Sequence, residues 1–319
     1  MKAAVVAAPG GVTPEYQDFP EPEAGQGRQV VSMVASAIHP VVRSKASGEH
    51  YSSTGQLPLV PGVDAVARTA DGTAVYTGEV EPPWGTFAER MAVPAGLAVP
   101  LPPGADPVAV AAGVNPGMAS WMPLVTHADE SGTPESVLIL GATGAAGNLA
   151  VQNAQALGAR RVIGVGRGGP DLERVAGFGV ETVELVSDTS LDAAAISATL
   201  GDTAPALVLD FLWGSPAEAM FQALAGIQGA GATDYVEIGS VAGEHSAVPA
   251  SLLRSRPIRL RGSGIGSFDM RRYIAEVPAY IQLIVGGKVR VHARAYPLSQ
   301  VAEAWTASQP GPRPVLVEG

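Results

Sequence analysis

The sequence predicts an α/β protein in which a doubly wound parallel sheet of six strands follows an irregular β domain, and three observations point there. Fifteen of the 27 prolines fall before residue 118, among short apolar runs at 30–34 and 63–67 that turn residues interrupt, the texture of irregular antiparallel β structure. From Ser136 onward apolar strands alternate with helical stretches, the rhythm of a parallel sheet covered on both faces. Glycine recurs at 141, 144 and 147, at the first strand-to-helix junction of that rhythm.

The elements follow in order. Residues 1–8, one lysine followed by six small apolar residues, form a first strand and are too short for the apolar region of a secretory signal. The uncharged stretch 107–127 holds Asn115, Pro116, Gly117 and Pro123, which should break a membrane-spanning helix. Parallel strands are expected at 137–140, 161–165, 182–185, 207–211, 235–238 and 258–261. Helices are expected between them at 148–157, 172–178, 191–200 and 216–224, the first and third closed by Gly158 and Gly201 as left-handed caps. A helix at 272–285 and a strand at 314–317 that returns to the first domain complete the chain.

Composition narrows the function. With 319 residues, two cores are expected. The net charge of −10 and pI near 5.0 argue against nucleic acid or an anionic membrane as partner. The absence of cysteine removes disulfides, thiolate zinc sites and a cysteine nucleophile together. A cytoplasmic protein with a small-molecule ligand is the reading that results.

The segment Gly141-Ala142-Thr143-Gly144-Ala145-Ala146-Gly147 lies directly between the apolar run 137–140 and a helix. Such a junction needs unusual dihedrals at the turn, bare backbone beside a diphosphate and close packing of helix on strand, and glycine meets each need. The helix N-terminus then offers unpaired amides and the positive end of its dipole. A dinucleotide is therefore the expected cofactor. The acid that would bind a ribose 2′-hydroxyl at the end of the second strand is missing, and Gly166 is followed there by Arg167, whose guanidinium suits a 2′-phosphate; Arg174 is placed to assist. NADPH is the cofactor this implies. Gly239, Ser240 and Val241 after the fifth strand, and Ser263 and Gly264 after the sixth, sit where backbone contacts to the nicotinamide half are expected.

Several stretches together resemble the medium-chain dehydrogenase/reductase superfamily, in its zinc-free quinone oxidoreductase-like branch. They are Ile38-His39-Pro40 through Gly48, Pro58-Leu59-Val60-Pro61-Gly62-Val63-Asp64, Gly85-Thr86-Phe87-Ala88-Glu89, Ala111-Ala112 through Asn115-Pro116, the glycine loop, Glu237-Ile238-Gly239-Ser240 and Leu260-Arg261-Gly262-Ser263. The resemblance implies a GroES-like β-barrel over residues 1–118, completed by 268–319, around a Rossmann domain over 119–267, and a homodimer or tetramer. It also implies that His39 replaces a cysteine zinc ligand, Val63 a histidine and Asp64 the glutamate after it, so catalytic zinc is not expected. A nitrogen and oxygen site built from His39, Asp64 and Glu49 or His50 has no recognisable ligand spacing.

Without a metal, reduction rests on holding an electron-poor acceptor against the cofactor, which suits a quinone or an α,β-unsaturated carbonyl. The resemblance brings three candidates for catalysis. Tyr51 lies near a tyrosine regarded as proton donor in related enoyl thioester reductases, one residue further from its glycine. His39 stands where many zinc-free relatives have asparagine, and its near-neutral intrinsic pKa suits proton delivery. Asn115 is the third, while Tyr76 reads as packing. Two alternatives stay open: an enoyl thioester reductase, whose basic entrance would be Arg254, Arg256, Arg259 and Arg261 unless these face solvent or a subunit interface, and an NADPH-binding sensor with negligible turnover.

Overall fold

The structure is a computed structural model that describes every residue except 9, 11, 12, 51, 230, 265 and 308–310. The chain forms two compact units, one of Met1–Asn115 with Ile274–Gly319 and one of Pro116–Tyr273.

The first unit is mainly antiparallel, with one parallel pair at the end of the chain. Strands β1 (Lys2–Val5) and β2 (Glu15–Asp18) pair with each other. The long β3 (Arg28–Ala37) is followed by helix α1 (Pro40–Ser47), then β4 (Asp64–Arg68), β5 (Ala74–Gly78), β6 (Arg90–Pro94) and β7 (Val99–Pro100). Strand β3 pairs with β4, β6 and, near its end, the last strand of the chain, and its register against β4 shifts between Met33 and Ala35. Alternate residues of these strands point inward, and Val5, Val31, Met33, Ala65, Ala67, Phe87 and Met91 meet in one core.

Helix α2 (Pro107–Ser131) corrects one expectation, because it runs 25 residues without a break through Pro116 and Pro123. Interior proline costs roughly 3 kcal/mol through its missing N–H and its ring clash. Against this, Val110, Val114, Met118, Met122 and Leu124 are all buried, and Asn153 donates to the Gly117 carbonyl and to Ser120 Oγ. Among the described residues this one helix is long and apolar enough to cross a membrane, but 72% of its most apolar window is buried, as in a core helix.

The second unit continues with β8 (Ser136–Leu140), α3 (Ala145–Leu157), β9 (Arg161–Arg167), α4 (Pro170–Ala176), β10 (Glu181–Leu185), α5 (Thr189–Leu200), β11 (Leu207–Asp210), α6 (Gly214–Gly226), β12 (Thr233–Glu237), α7 (Ala250–Ser255) and β13 (Ile258–Gly262). The strands are all parallel in the order β10-β9-β8-β11-β12-β13. The order reverses between β8 and β11, which opens the crevice where doubly wound sheets receive ligands. Leu138, Leu140, Val208 and Tyr235 face one buried layer, while Val137, Ile139, Leu207 and Leu209 face the other. Burial on both faces is why these strands read as continuous apolar runs. Gly158 caps α3 in the left-handed conformation, whereas Gly201 has φ 62° but ψ −136° and so is no left-handed helical cap. Helix α8 (Met270–Val285), β14 (Ala293–Pro297), α9 (Val301–Thr306) and β15 (Arg313–Val317) finish the chain. Strand β15 pairs with β3, so the end of the chain does return to the first unit's sheet.

The arginines expected to face solvent or a subunit interface are mostly committed within the second unit. Arg256 donates to the carbonyls of Ile227 and Gly229. Arg259 and Arg261, two apart on β13 and so on one face, converge on Asp234 of β12 and on Glu130 of α2, and His127 Nδ1 lies 3.2 Å from the same Asp234 carboxylate. Burial alone pushes the Asp234 carboxyl up, but hydrogen bonds from His127 and Arg259 and the charges of Arg261 and Arg259 outweigh it and bring the pKa down to about 2. A depressed carboxyl contributes stability that is complete above its unfolded pKa and is lost as pH falls through the folded one. Asp234→Asn is therefore expected to cost about 2 to 3 kcal/mol at pH 7, and the gap from wild type should close between about pH 4 and pH 2 in urea titrations. A gap that persists unchanged at pH 2 would show that the carboxylate is not the source.

Candidate functional site

The glycine loop is built by two separate steric demands. Gly141 directly follows β8 with φ +88°, a conformation unfavourable for side chains, and its amide bonds the Val165 carbonyl at 2.8 Å. Gly147, in the first turn of α3, is seated on the strand end so closely that a Cβ would lie 2.1 Å from the Gly141 carbonyl oxygen. The helix therefore starts at Ala145, inside the loop and three residues earlier than its apolar periodicity indicates. Gly144 differs from its two neighbours in the motif. It has an ordinary φ of −74°, and a Cβ there would meet only the Gly141 carbonyl oxygen at an unstrained 3.4 Å. Folding does not demand glycine at 144.

Gly144 and Ala145 are exposed, Thr143 and Ala146 are partly so, and Ala142 is buried. No side chain caps α3, and its first-turn amides have no acceptor within the helix. Bare backbone, free amides and a helix dipole thus coincide at the loop tip, a combination that fits a diphosphate.

The neighbouring strand ends are organised around this loop. Gly166 is buried, and its missing side chain leaves room for Thr143, whose atoms would lie 2.7 Å from a Cβ. Arg167 is the last residue of β9, exposed, and in no ion pair among the described residues. Arg174 instead pairs with Asp171 at 2.7 Å, one turn away. A carboxylate that sequence reasoning missed, Glu184 of β10, lies against the backbone just past Arg167, with Oε1 2.1 Å from where a Gly168 Cβ would stand.

The loop after β11 comes within van der Waals reach of Gly141 through Phe211 and Leu212. Asp210, fully buried, sets this loop by accepting from the amides of Leu212 and Trp213 and, on its other oxygen, from Tyr235 Oη at 2.6 Å. Burial pushes the Asp210 carboxyl up against those hydrogen bonds. Trp213 follows at φ +54°, an uncommon conformation for a bulky residue, with its ring edge-on to Phe221 and Tyr235. Together with Glu237, Ser240 and Glu244 it lines an open cleft of about 530 Å³ at the carboxyl ends of β12 and β13. Burial, and then the nearby Asp210 charge, push the Glu237 carboxyl up. Trp213 carried no motif, and only its place after the fourth strand could have drawn attention to it; Glu237 opens one of the stretches that carry the family resemblance, but nothing there marked it as lining a cleft.

Ser240 and Val241 are exposed at the same end, whereas the Gly239 amide is engaged with the Asp210 carbonyl. The amides of Ser263 and Gly264 are also committed, to the Glu237 carbonyl and to Ser267 Oγ. A contact from either to a ligand would have to use other atoms.

The first unit holds the remaining candidates. His39 starts α1 as its N-cap, yet its ring caps nothing and is 1% exposed. Its loop is fastened from the chain's end, with the Ile38 amide bonded to the Pro314 carbonyl and Arg313 Nη1 donating to the Ile38 carbonyl. Burial, followed by the Arg43 charge, lowers the Arg313 pKa to about 10. His39 Nε2 lies 3.5 Å from Asp64 Oδ1, while Asp64 Oδ2 accepts from Tyr76 Oη at 2.8 Å. Tyr76 is thus hydrogen-bonded to the pair rather than simple packing. Asn115 is half-buried within α2, and Tyr51 lies outside the described residues. Glu49 and His50 bond locally to Ser47 and Ser52, and no three metal-ligating side chains converge among the described residues.

A doubly wound unit with a diphosphate-fitting loop, joined to an antiparallel β unit, defines the class of a two-unit dinucleotide-dependent oxidoreductase. No protein-family model matches the sequence. It is 30% identical, over 96% of this chain and 96% of the other, to a probable NADPH-dependent quinone reductase of Emericella nidulans. Among solved structures it is similar to a mycobacterial quinone oxidoreductase (TM-score 0.84, 20% identity, 99% of both chains). It is also similar to the quinone oxidoreductase of Thermus thermophilus (TM-score 0.78, 24% identity, 99% of this chain and 100% of that one). At these identities the two structures establish the shared fold. The chain belongs to the medium-chain dehydrogenase/reductase superfamily, in its quinone oxidoreductase-like branch.

The contrast between the glycines gives a direct test. Gly144→Val should fold normally and raise the Kd for a nicotinamide dinucleotide at least about 10-fold, a loss of roughly 1.4 kcal/mol. Gly147→Ala should instead cost about 1 to 3 kcal/mol of stability through overpacking. Calorimetric binding and thermal melts of both variants distinguish a ligand-facing glycine from a packing one.

Proposed function

We propose that this chain is an NADPH-dependent, zinc-independent oxidoreductase that reduces quinones or α,β-unsaturated carbonyls. The observation that carries the reading is Gly144, a bare and exposed position at the start of α3 where the fold itself does not require glycine. A diphosphate seated there accounts for it.

Residues 141–147 would hold the diphosphate, and Ser240 and Val241 would border the nicotinamide end. Arg167, exposed and unpaired among the described residues, would take the 2′-phosphate. When bound, the cofactor supplies hydride. The protein's part is to hold the acceptor, exclude water and provide the proton that completes reduction, for which His39 is a candidate on the family resemblance alone. The donor set does not suit zinc, since His39 and Asp64 form a pair without a third ligand among the described residues. A quinone or enone fits this chemistry because its conjugated carbonyl accepts hydride without a Lewis acid. Enoyl thioesters fit less well, since Arg256, Arg259 and Arg261 are already engaged by internal carbonyls and carboxylates. A cytoplasmic homodimer completes the reading; the edge of β13, unpaired among the described residues and with Leu260 exposed on it, supports association of two copies.

Absorbance at the NADPH band, followed across quinones, enones and enoyl thioesters, should show oxidation with members of the first two groups. Binding without turnover on every acceptor would replace the enzyme with a cofactor-binding sensor. Arg167→Ala should raise the KM for NADPH at least about 10-fold and leave NADH nearly unaffected, as loss of a charge-assisted contact requires. Glu184→Gln, which removes the negative charge beside the same strand end, should lower the KM for NADPH. Equal effects on both cofactors would sink the assignment of the 2′-phosphate site.

A further inference from the structure

We propose that the cofactor site takes NADH as well as NADPH, with Glu184 of β10 accepting from the ribose 2′-hydroxyl and Arg167 of β9 serving the 2′-phosphate; this rests on the dinucleotide reading of the glycine loop. In a doubly wound domain that hydroxyl is held by an acid at the end of the second strand, roughly 20 residues past the loop. The end of β9 runs Gly166-Arg167-Gly168 and carries none. An acid at 166 would also have no room, because even a Cβ there would lie 2.7 Å from Thr143 of the glycine loop.

The neighbouring strand brings the missing carboxylate to the same place. Glu184 stands opposite Gly166 in the parallel ladder, so its side chain leaves the sheet on the face that 166 and 168 share. It runs forward over Gly168, where a Cβ would collide with Oε1 and crowd Oε2. No positive φ accounts for glycine at 168, so its bareness serves to admit the carboxylate. Glu184 and Arg167 are both exposed, and neither makes an ion pair or side-chain hydrogen bond among the described residues. Alternation along β9 sends Arg167 to the opposite face, which keeps the two charges from neutralising each other. A free carboxylate accepts from a hydroxyl and repels a phosphate, while a free guanidinium binds the phosphate. One strand end thus holds a selector for each cofactor.

Nucleotides that carry only this half of the cofactor test the proposal without turnover. By calorimetry, wild type should bind 5′-ADP and 2′,5′-ADP with Kd values within about 10-fold of each other. Glu184→Ala should raise the Kd for 5′-ADP about 10-fold and lower that for 2′,5′-ADP, opposite signs that loss of a structural contact would not produce. Gly168→Ala, which pushes the carboxylate aside, should act in the same directions. With a quinone as acceptor, Glu184→Ala should raise the KM for NADH and lower that for NADPH. If Glu184→Ala does not fold, Glu184→Gln should give the same opposed shifts at smaller size. Weakening of both nucleotides together, or firm wild-type binding of 2′,5′-ADP with none of 5′-ADP, overturns the proposal and leaves the NADPH reading standing. If neither nucleotide binds, the dinucleotide reading falls with it.

Discussion

The site depends on how closely α3 approaches the end of β8. Gly147 rests on the Gly141 carbonyl at a distance that excludes any side chain, and Gly141 turns the chain at a positive φ to make that approach. Because the helix is drawn down onto the strand, its first-turn amides open at the carboxyl edge of the sheet, where the strand order reverses. Thr143 settles over the bare backbone of Gly166, and Phe211 and Leu212 close against Gly141 from the other side. Asp210 then secures that second loop through Oδ1, which accepts from the Leu212 and Trp213 amides, while Oδ2 accepts from Tyr235 of β12. One tight contact thus determines where a diphosphate fits and which strand ends surround it.

Two buried carboxylates differ in how fully their surroundings satisfy them. Asp234 is surrounded by His127, Arg259 and Arg261, and its charge is compensated within the second unit. Asp64 has a tyrosine hydroxyl on one oxygen and an imidazole just beyond hydrogen-bond distance on the other. A saturated carboxylate holds elements together.

The six parallel strands were legible to within about two residues; the four inner ones are buried almost throughout, while the edge strands β10 and β13 are partly exposed and carry charged residues. The helices were less so at their starts. Helix α3 begins inside the glycine loop, where side-chain periodicity carries no signal, and α2 continues through two prolines because its packing compensates for them. Arg259 and Arg261 read as an exposed basic edge, since nothing nearby in sequence shows that Asp234 and Glu130 are brought against them.

From the amino-acid order alone came the α/β class, the glycine loop, the family resemblance and the candidacy of Arg167 and His39. These are local properties: periodicity, turn chemistry and residue type at a strand end are set by neighbours along the chain. Tertiary structure alone decided that Gly144 is free of packing duty, that the amides of Ser263 and Gly264 are already engaged, and that Asp64 stands beside His39. Each of those is a distance between segments remote in sequence, and such distances exist only once the sheets have paired.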